Sequence, residues 1–200
     1  LIGEIPVWGG RTAYDMTYAR QWLREMIERD YNHPSIFAWS VANEIDGNEP
    51  AGMEFIREHI DYVRSELDSS RYLTYAMHQG KIGATSDGDA AQYVDFISVN
   101  LYGDGSSAVN RLHSLWPDKP IFLSEFGSSQ TSENPNKGNF KVEGLLQAYK
   151  RDYIMGVSLW TLNDYRSNFP GTPPSQNRAW GVTTVWGGKK RAFERVRAAY

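Results

Sequence analysis

Hydrophobic positions along this chain follow two alternating rhythms. Six short runs are almost continuously apolar and rich in β-branched and aromatic residues: 2–7 (IGEIPV), 35–42 (SIFAWSVA), 71–77 (RYLTYAM), 96–102 (FISVNLY), 120–126 (PIFLSEF) and 156–162 (GVSLWTL). Such runs read as strands covered on both faces. Between them, apolar side chains recur at three- and four-residue steps, the spacing that lines one face of a helix. Met16, Ala19, Trp22, Leu23, Met26 and Ile27 form the first such set, and Ile56, Ile60, Val63 and Leu67 the second. Val109, Leu112, Leu115 and Trp116 form a third, Val142, Leu145, Leu146 and Tyr149 a fourth, and a basic helix over roughly 190–199 ends the series.

Strands alternating with helices predict parallel strands joined by helical crossovers. A doubly wound sheet and a barrel both fit that pattern. No Gly-x-Gly-x-x-Gly follows any strand and no Gly-Lys-Ser phosphate loop is present, which removes the dinucleotide and nucleoside-triphosphate versions of the open sheet. The barrel is therefore expected. A closed barrel needs eight strand–helix units and typically ~250 residues, whereas six units are visible here. The expected fold class is accordingly α/β, a partial (β/α)8 barrel of the TIM type holding strands 3 to 8, in one domain over 1–200 whose first two units lie upstream. A chain of 200 residues is long enough for this, since domains of that size bury roughly 70% of the surface the unfolded chain exposes.

Charge and composition narrow the partners. Basic and acidic residues nearly balance, 21 against 24, for a net charge of −3, so no electrostatic footprint for nucleic acid or an anionic membrane is present. The absence of cysteine rules out disulfides, thiolate metal sites and a cysteine nucleophile. No run of about 18 apolar residues occurs and no leader pattern opens the chain, which starts at Leu1 directly before a strand; the compartment stays open. Aromatic residues make up 14% of the sequence, with seven Trp and twelve Tyr, a supply of flat apolar faces on which sugar rings stack. The loops 127–139 and 163–180 follow strands, the position from which barrel enzymes contact substrate.

Two glutamates stand at strand ends among apolar neighbours, Glu44 in Trp39-Ser40-Val41-Ala42-Asn43-Glu44 and Glu125 in Phe122-Leu123-Ser124-Glu125-Phe126-Gly127. An ionised carboxylate is expensive in such a setting unless it is hydrogen-bonded or serves a reaction. Glu125 lies 81 residues beyond Glu44, which is three strand–helix units of about 27 residues, so the pair is expected to face across a barrel mouth. Carboxylates ~5–5.5 Å apart are what retaining glycoside hydrolysis requires, and inverting enzymes need ~6.5–9.5 Å.

The run Arg29-Asp30-Tyr31-Asn32-His33-Pro34-Ser35, continuing through Trp39-Ser40 to Asn43-Glu44, resembles the acid/base signature of glycoside hydrolase family 2, which includes β-galactosidases, β-glucuronidases and β-mannosidases. Lys119-Pro120-Ile121 through Glu125-Phe126-Gly127 is similar to the family's nucleophile strand. Asn100-Leu101-Tyr102 resembles its sixth strand, Trp160-Thr161-Leu162-Asn163-Asp164 its eighth, and Glu4-Ile5-Pro6-Val7-Trp8 its third. The resemblance implies a retaining exo-β-glycosidase without cofactor or metal, acting on carbohydrate. Within it Glu44 is the acid/base and Glu125 the nucleophile. It further implies that Asn43 binds the sugar 2-hydroxyl, that Tyr102 donates to Glu125, and that Trp160 forms a platform under the sugar. Asp164 and Arg166 are expected near substrate hydroxyls, with Asp164 alternatively pairing with Arg166 or Arg178, and Arg178 is expected to bind substrate as a cation in place of the family's lysine. Asp30 and His33 are expected to be structural, not metal ligands.

Departures from the pattern set the finer expectations. Relatives that cleave glucuronides carry Asn-x-Lys after the last strand, and the corresponding stretch here is Asn177-Arg178-Ala179. Without that lysine a neutral β-galactoside is expected ahead of a β-glucuronide, since Arg and Lys differ in geometry. The family's upstream β-sandwich domains and first two barrel strands are missing from the chain. The alternatives are another retaining hydrolase of the same clan, such as an endo-β-mannanase, or an inactive barrel fragment that binds carbohydrate.

Overall fold

A computed structural model describes residues 1–9, 16–103, 105–127, 146 and 149–200. The expected loop at 128–139, most of the expected helix at 142–149 and the side chain of Met16 lie outside the described residues. Six strands form one sheet in sequence order: β1 (Ile2–Glu4), β2 (Ala38–Asn43), β3 (Tyr72–His78), β4 (Ile97–Tyr102), β5 (Ile121–Gly127) and β6 (Ile154–Leu159). The ladders β1–β2, β2–β3 and β3–β4 are parallel. Helices α1 (Met16–Asp30), α2 (Pro50–Tyr62) and α3 (Ser106–Leu115) connect successive strands. This is the order of six consecutive strands of a (β/α)8 barrel.

By compactness the chain divides into two units, Leu1–Asn100 with Ala108–Phe122, and Leu101–Ser107 with Leu123–Tyr200. In the first, the apolar stripe foreseen for α1 is realised: Ala19, Leu23, Met26 and Ile27 are buried while Tyr18, Gln21 and Arg24 face solvent. Strands β2, β3 and β4 are buried along almost their whole length, which is why they read as continuous apolar runs and not as alternating ones. Each fully buried Leu or Ile contributes roughly 1.5–3 kcal/mol. Gly3 allows β1 to approach β2, because a Cβ there would come within 2.7 Å of the Trp39 ring.

Helix α2 carries Pro50 in its first turn, where the missing N–H costs nothing. It runs on into a wider π-type turn, Val63–Leu67, closed by the Asp68 N–H donating to the Val63 carbonyl at 2.8 Å. Asp68 then staples the unit. Its buried carboxylate accepts from the Trp39 indole of β2 (3.0 Å), from the Ser70 backbone and hydroxyl, and from the Arg71 guanidinium just before β3. Burial alone would push this carboxyl up, but the bonds from Ser70, Trp39 and Arg71 outweigh that and hold it well below the usual carboxylate range. Lys119, at the entry to β5, donates to the carbonyls of Ala91, Gln92 and Val94 and so closes the end of a 3₁₀ turn at Ala90–Tyr93.

In the second unit the segment after β6 runs beside a later one. Thr161, Val182, Thr183 and Asp164 alternate as backbone donors to Trp180, Thr161, Leu162 and Thr183. Gly181 is needed there, since a Cβ would lie 2.2 Å from the Asn163 carbonyl carbon. The stretch 163–180, expected as a loop, contains a short antiparallel hairpin instead, β7 (Tyr165–Arg166) with β8 (Asn177–Arg178). Strands of two residues carry no periodicity to read. The last helix, α4, covers Phe193–Ala199 and is shorter than the expected 190–199.

Candidate active site

In the first unit the site grows from the end of β2. The register between β2 and β3 shifts between Ser40 and Asn43, an irregularity of the kind that re-aims the next side chain. Asn43 is then held from both sides: its N–H donates to the Val7 carbonyl at 2.8 Å, and its carbonyl accepts from Gly9 at 3.1 Å. Glu44 follows with φ 55, a left-handed conformation that costs a non-glycine residue about 1–2 kcal/mol. Its N–H donates to the Ala76 carbonyl at 2.7 Å, so the surrounding ladder imposes the conformation. The half-buried carboxylate that results has two donors among the described residues. The Trp8 indole N–H reaches one oxygen at 3.1 Å, and the Asn100 amide reaches the other at 3.1 Å while also donating to Asn43 Oδ1 at 3.0 Å. Asn100 is fully buried. Glu4 at the end of β1 accepts from the Ser40 hydroxyl at 2.6 Å.

In the second unit the Tyr102 hydroxyl, at the end of β4, donates to Glu125 near the end of β5. The Trp180 ring meets Tyr102 edge-on, with centroids 5.5 Å apart. Trp160 follows β6 with a cis peptide bond to Thr161, and its backbone N–H donates to the Phe126 carbonyl at 2.9 Å. Its half-exposed indole contacts Tyr165 edge-on at 5.8 Å and donates to that residue's hydroxyl at 3.3 Å. The Arg178 guanidinium lies over the rings of Tyr165 and Phe169, 6.0 and 5.9 Å from their centroids, and no acidic side chain pairs with it among the described residues.

One expectation is corrected. Asp164 is buried, and its carboxylate accepts from Lys190 Nζ and from the Gly181 N–H at 2.9 Å. Its ion-pair partner is Lys190, neither Arg166 nor Arg178, and the pair ties the segment after β6 to the residue at 190. Asp30 pairs with the neighbouring Arg29, whose hydrogen bond holds the Asp30 carboxyl below its ordinary value. Among the described residues no group of three or more His, Asp or Glu could hold a metal ion, and no helix is long and apolar enough to cross a membrane. Trp8, Asn100 and Trp180 are the site neighbours that sequence reasoning left without a role. Trp8 and Asn100 lay inside the quoted motifs, but their pairing with Glu44 spans 36 and 56 residues and no local pattern encodes it.

Each unit thus holds a strand-end carboxylate with a side-chain donor, and comparison with known proteins identifies the family. Residues 13–164 match the model for glycosyl hydrolases family 2, TIM barrel domain, and the chain belongs to that family. Among curated relatives, the Felis catus β-glucuronidase is 30% identical over 204 residues, covering 88% of this chain and 28% of its own length. The Homo sapiens β-glucuronidase is 27% identical over 202 residues, covering 88% and 29%. The chain thus spans little more than a quarter of those relatives. Among solved structures, the Bacteroides uniformis β-glucuronidase superimposes with a TM-score of 0.84 at 22% identity, covering 99% of this chain and 28% of that one. A β-galacturonidase from Eisenbergiella tayi bound to galacturonate gives 0.80 at 23%, covering 92% and 37%. These structural likenesses speak to the fold.

Proposed function

We propose that this chain supplies the catalytic strands of a retaining β-glycosidase that removes a terminal β-linked sugar by double displacement. Glu125 attacks the anomeric carbon as the glycosidic C–O bond breaks, and Glu44 delivers its proton to the departing oxygen. In the second half Glu44 takes a proton from water, which displaces Glu125 and frees the sugar with its configuration kept. The observation that carries this reading is the different support of the two carboxylates. Glu44 is aimed by Trp8 and Asn100 at a left-handed strand end, and Glu125 by the Tyr102 hydroxyl. Asn43, tied to Asn100, is placed beside the acid/base to meet the 2-hydroxyl. The half-exposed Trp160 offers an apolar face to the sugar ring.

For the sugar, the missing lysine at Ala179 speaks for a neutral β-galactoside. A β-uronide is the reading that a specific observation favours: Arg178 is held on two aromatic faces with its charge unmatched among the described residues, and a guanidinium fits a carboxylate in a two-bond fork. The named activities of the relatives point the same way. An aryl β-glycoside screen of the intact protein, with galactoside, glucuronide, galacturonide and mannoside side by side, decides between them. Uronide turnover that collapses in Arg178→Leu supports the second reading, and galactoside turnover indifferent to that change returns the first. Release of monosaccharide alone from oligosaccharides separates exo action from an endo-mannanase.

The roles themselves are tested by leaving-group dependence. Glu125→Gln is expected to abolish turnover of every substrate. Glu44→Ala is expected to spare aryl glycosides with good leaving groups and to be partly rescued by azide, because only a poor leaving group needs the acid. Equal losses across leaving groups would count against the assignment.

A further inference from the structure

His78 closes β3 and carries a feature that the proposed chemistry has not used. Its register partner in β4 is Asn100. Partners in adjacent parallel strands present side chains to the same face, about 4.8 Å apart along the sheet. On that face the Asn100 amide reaches Glu44 Oε1 and Asn43 Oδ1. Residues 73–77 of β3 are buried and His78 is half-buried, so the strand emerges from the core at His78, next to the carboxylate assigned as acid/base.

The tautomer of His78 follows from its partner. Nδ1 lies 3.1 Å from the backbone N–H of Gly80, where it caps a 3₁₀ turn at Gln79–Lys81. A backbone N–H can only donate, so Nδ1 must be the acceptor and the neutral ring carries its proton on Nε2. Among the described residues nothing takes that proton's hydrogen bond. The ring is therefore clamped at one nitrogen and keeps a single N–H at the other, on a strand position whose register partner, Asn100, donates to the carboxylate assigned as acid/base.

We infer that His78 is a specificity-determining residue on the leaving-group side, donating from Nε2 to an oxygen of the departing moiety and thereby selecting an aglycone that offers one, such as the hydroxyl or ring oxygen of a second sugar. The inference rests on the double-displacement reading, since it is the acid/base that marks the leaving-group side. An aryl leaving group without such an oxygen gains nothing from the donor, and a glycosyl leaving group does.

The test is a substitution that keeps the cap and withdraws the donor from the Nε2 position, which the shorter asparagine amide does not reach and the longer glutamine amide does. In His78→Asn the side-chain carbonyl can accept from the N–H two residues on, the Asx-turn geometry, so the Gln79–Lys81 turn retains its acceptor. In the intact protein, kcat/KM is measured on a β-linked disaccharide and on the 4-nitrophenyl glycoside of the same terminal sugar, with thermal unfolding as a check on the fold. The expected result is a fall of about tenfold in the ratio of disaccharide to aryl kcat/KM, the size of one neutral hydrogen bond. The fall should appear as a higher KM for the disaccharide, and His78→Gln, whose amide can still donate, should restore part of it. An unchanged ratio, or a parallel loss on both substrates, overturns the inference while leaving the roles of Glu44 and Glu125 standing. If the unsubstituted protein turns over no β-glycoside, the functional reading falls and the inference falls with it.

Discussion

At the scale of single residues, the two carboxylates differ in what aims them, and the difference has kinetic consequences. Tyr102 gives Glu125 a hydroxyl donor, and a hydrogen bond to a charged group is worth about 1.5–3 kcal/mol. Tyr102→Phe should therefore lower kcat/KM roughly 10- to 100-fold, by a similar factor for good and poor leaving groups, because Glu125 as the proposed nucleophile would act on every substrate. Asn100→Ala should behave otherwise. It strips a donor from Glu44, leaves the half-buried Asn43 Oδ1 without that partner and empties a fully buried position, so stability should drop by about 1–3 kcal/mol. Its activity loss should grow as the leaving group worsens, and a Brønsted plot for the two variants separates these slopes. Residue identities at the site were legible in the sequence where they sit in local runs, as Asn43 and Glu44 do. Trp8 and Asn100 became partners of Glu44 only through parallel pairing of β1, β2, β3 and β4, which no local spacing announces. The ion-pair partner of Asp164 was not legible for the same reason, since its cation, Lys190, lies 26 residues on.

At the scale of elements, β2 and β3 depend on a staple outside both. Asp68 ties the Trp39 indole of β2 to Arg71, and Arg71 in turn donates to the carbonyls of Ile36 and Tyr31 and lies over the Tyr31 and Trp39 rings. Removing one partner of a buried pair leaves the other uncompensated, so Asp68→Asn should cost about 3 kcal/mol at neutral pH. The pH dependence has a definite sign. The folded carboxyl titrates well below the usual range, whereas the unfolded one titrates near 3.9. Its contribution is thus complete above roughly pH 5 and is lost as pH falls through the unfolded value toward the folded one. Urea unfolding of the parent and the variant should show a gap that is constant from pH 8 to 5 and narrows below pH 4. A gap independent of pH would mean that packing, not charge, is what Asp68 supplies. The strands themselves were legible: runs foreseen at 71–77, 96–102 and 120–126 appear as Tyr72–His78, Ile97–Tyr102 and Ile121–Gly127, because buried parallel strands need unbroken apolar sequence. The β7–β8 hairpin and the π-type turn were not, being too short or too local in their hydrogen bonding to alter the pattern.

At the scale of the whole chain, the sheet order among the described residues leaves β1 paired only with β2 and β6 only with β5. In a closed barrel each edge would meet another strand. An exposed edge offers a row of unpaired N–H and C=O groups to any second chain. Here the edges are apolar as well: Leu1 is 76% exposed just before β1, and Met155 is 47% exposed on β6. Neither edge carries the lysine or proline that usually blunts such a template, so the 200-residue chain produced alone is expected to associate edge to edge. Light scattering behind size exclusion, at micromolar concentration, should find species larger than a monomer. Met155→Lys places a charge on the β6 edge and should shift the population toward monomer without lowering the unfolding midpoint, because the side chain it replaces is already largely in water. The curated relatives are about three and a half times as long as the matched part. Association of the chain, relieved by the edge charge, is the outcome that an open sheet order requires. A monomeric chain indifferent to Met155→Lys would mean that the edges are closed by contacts beyond the described residues.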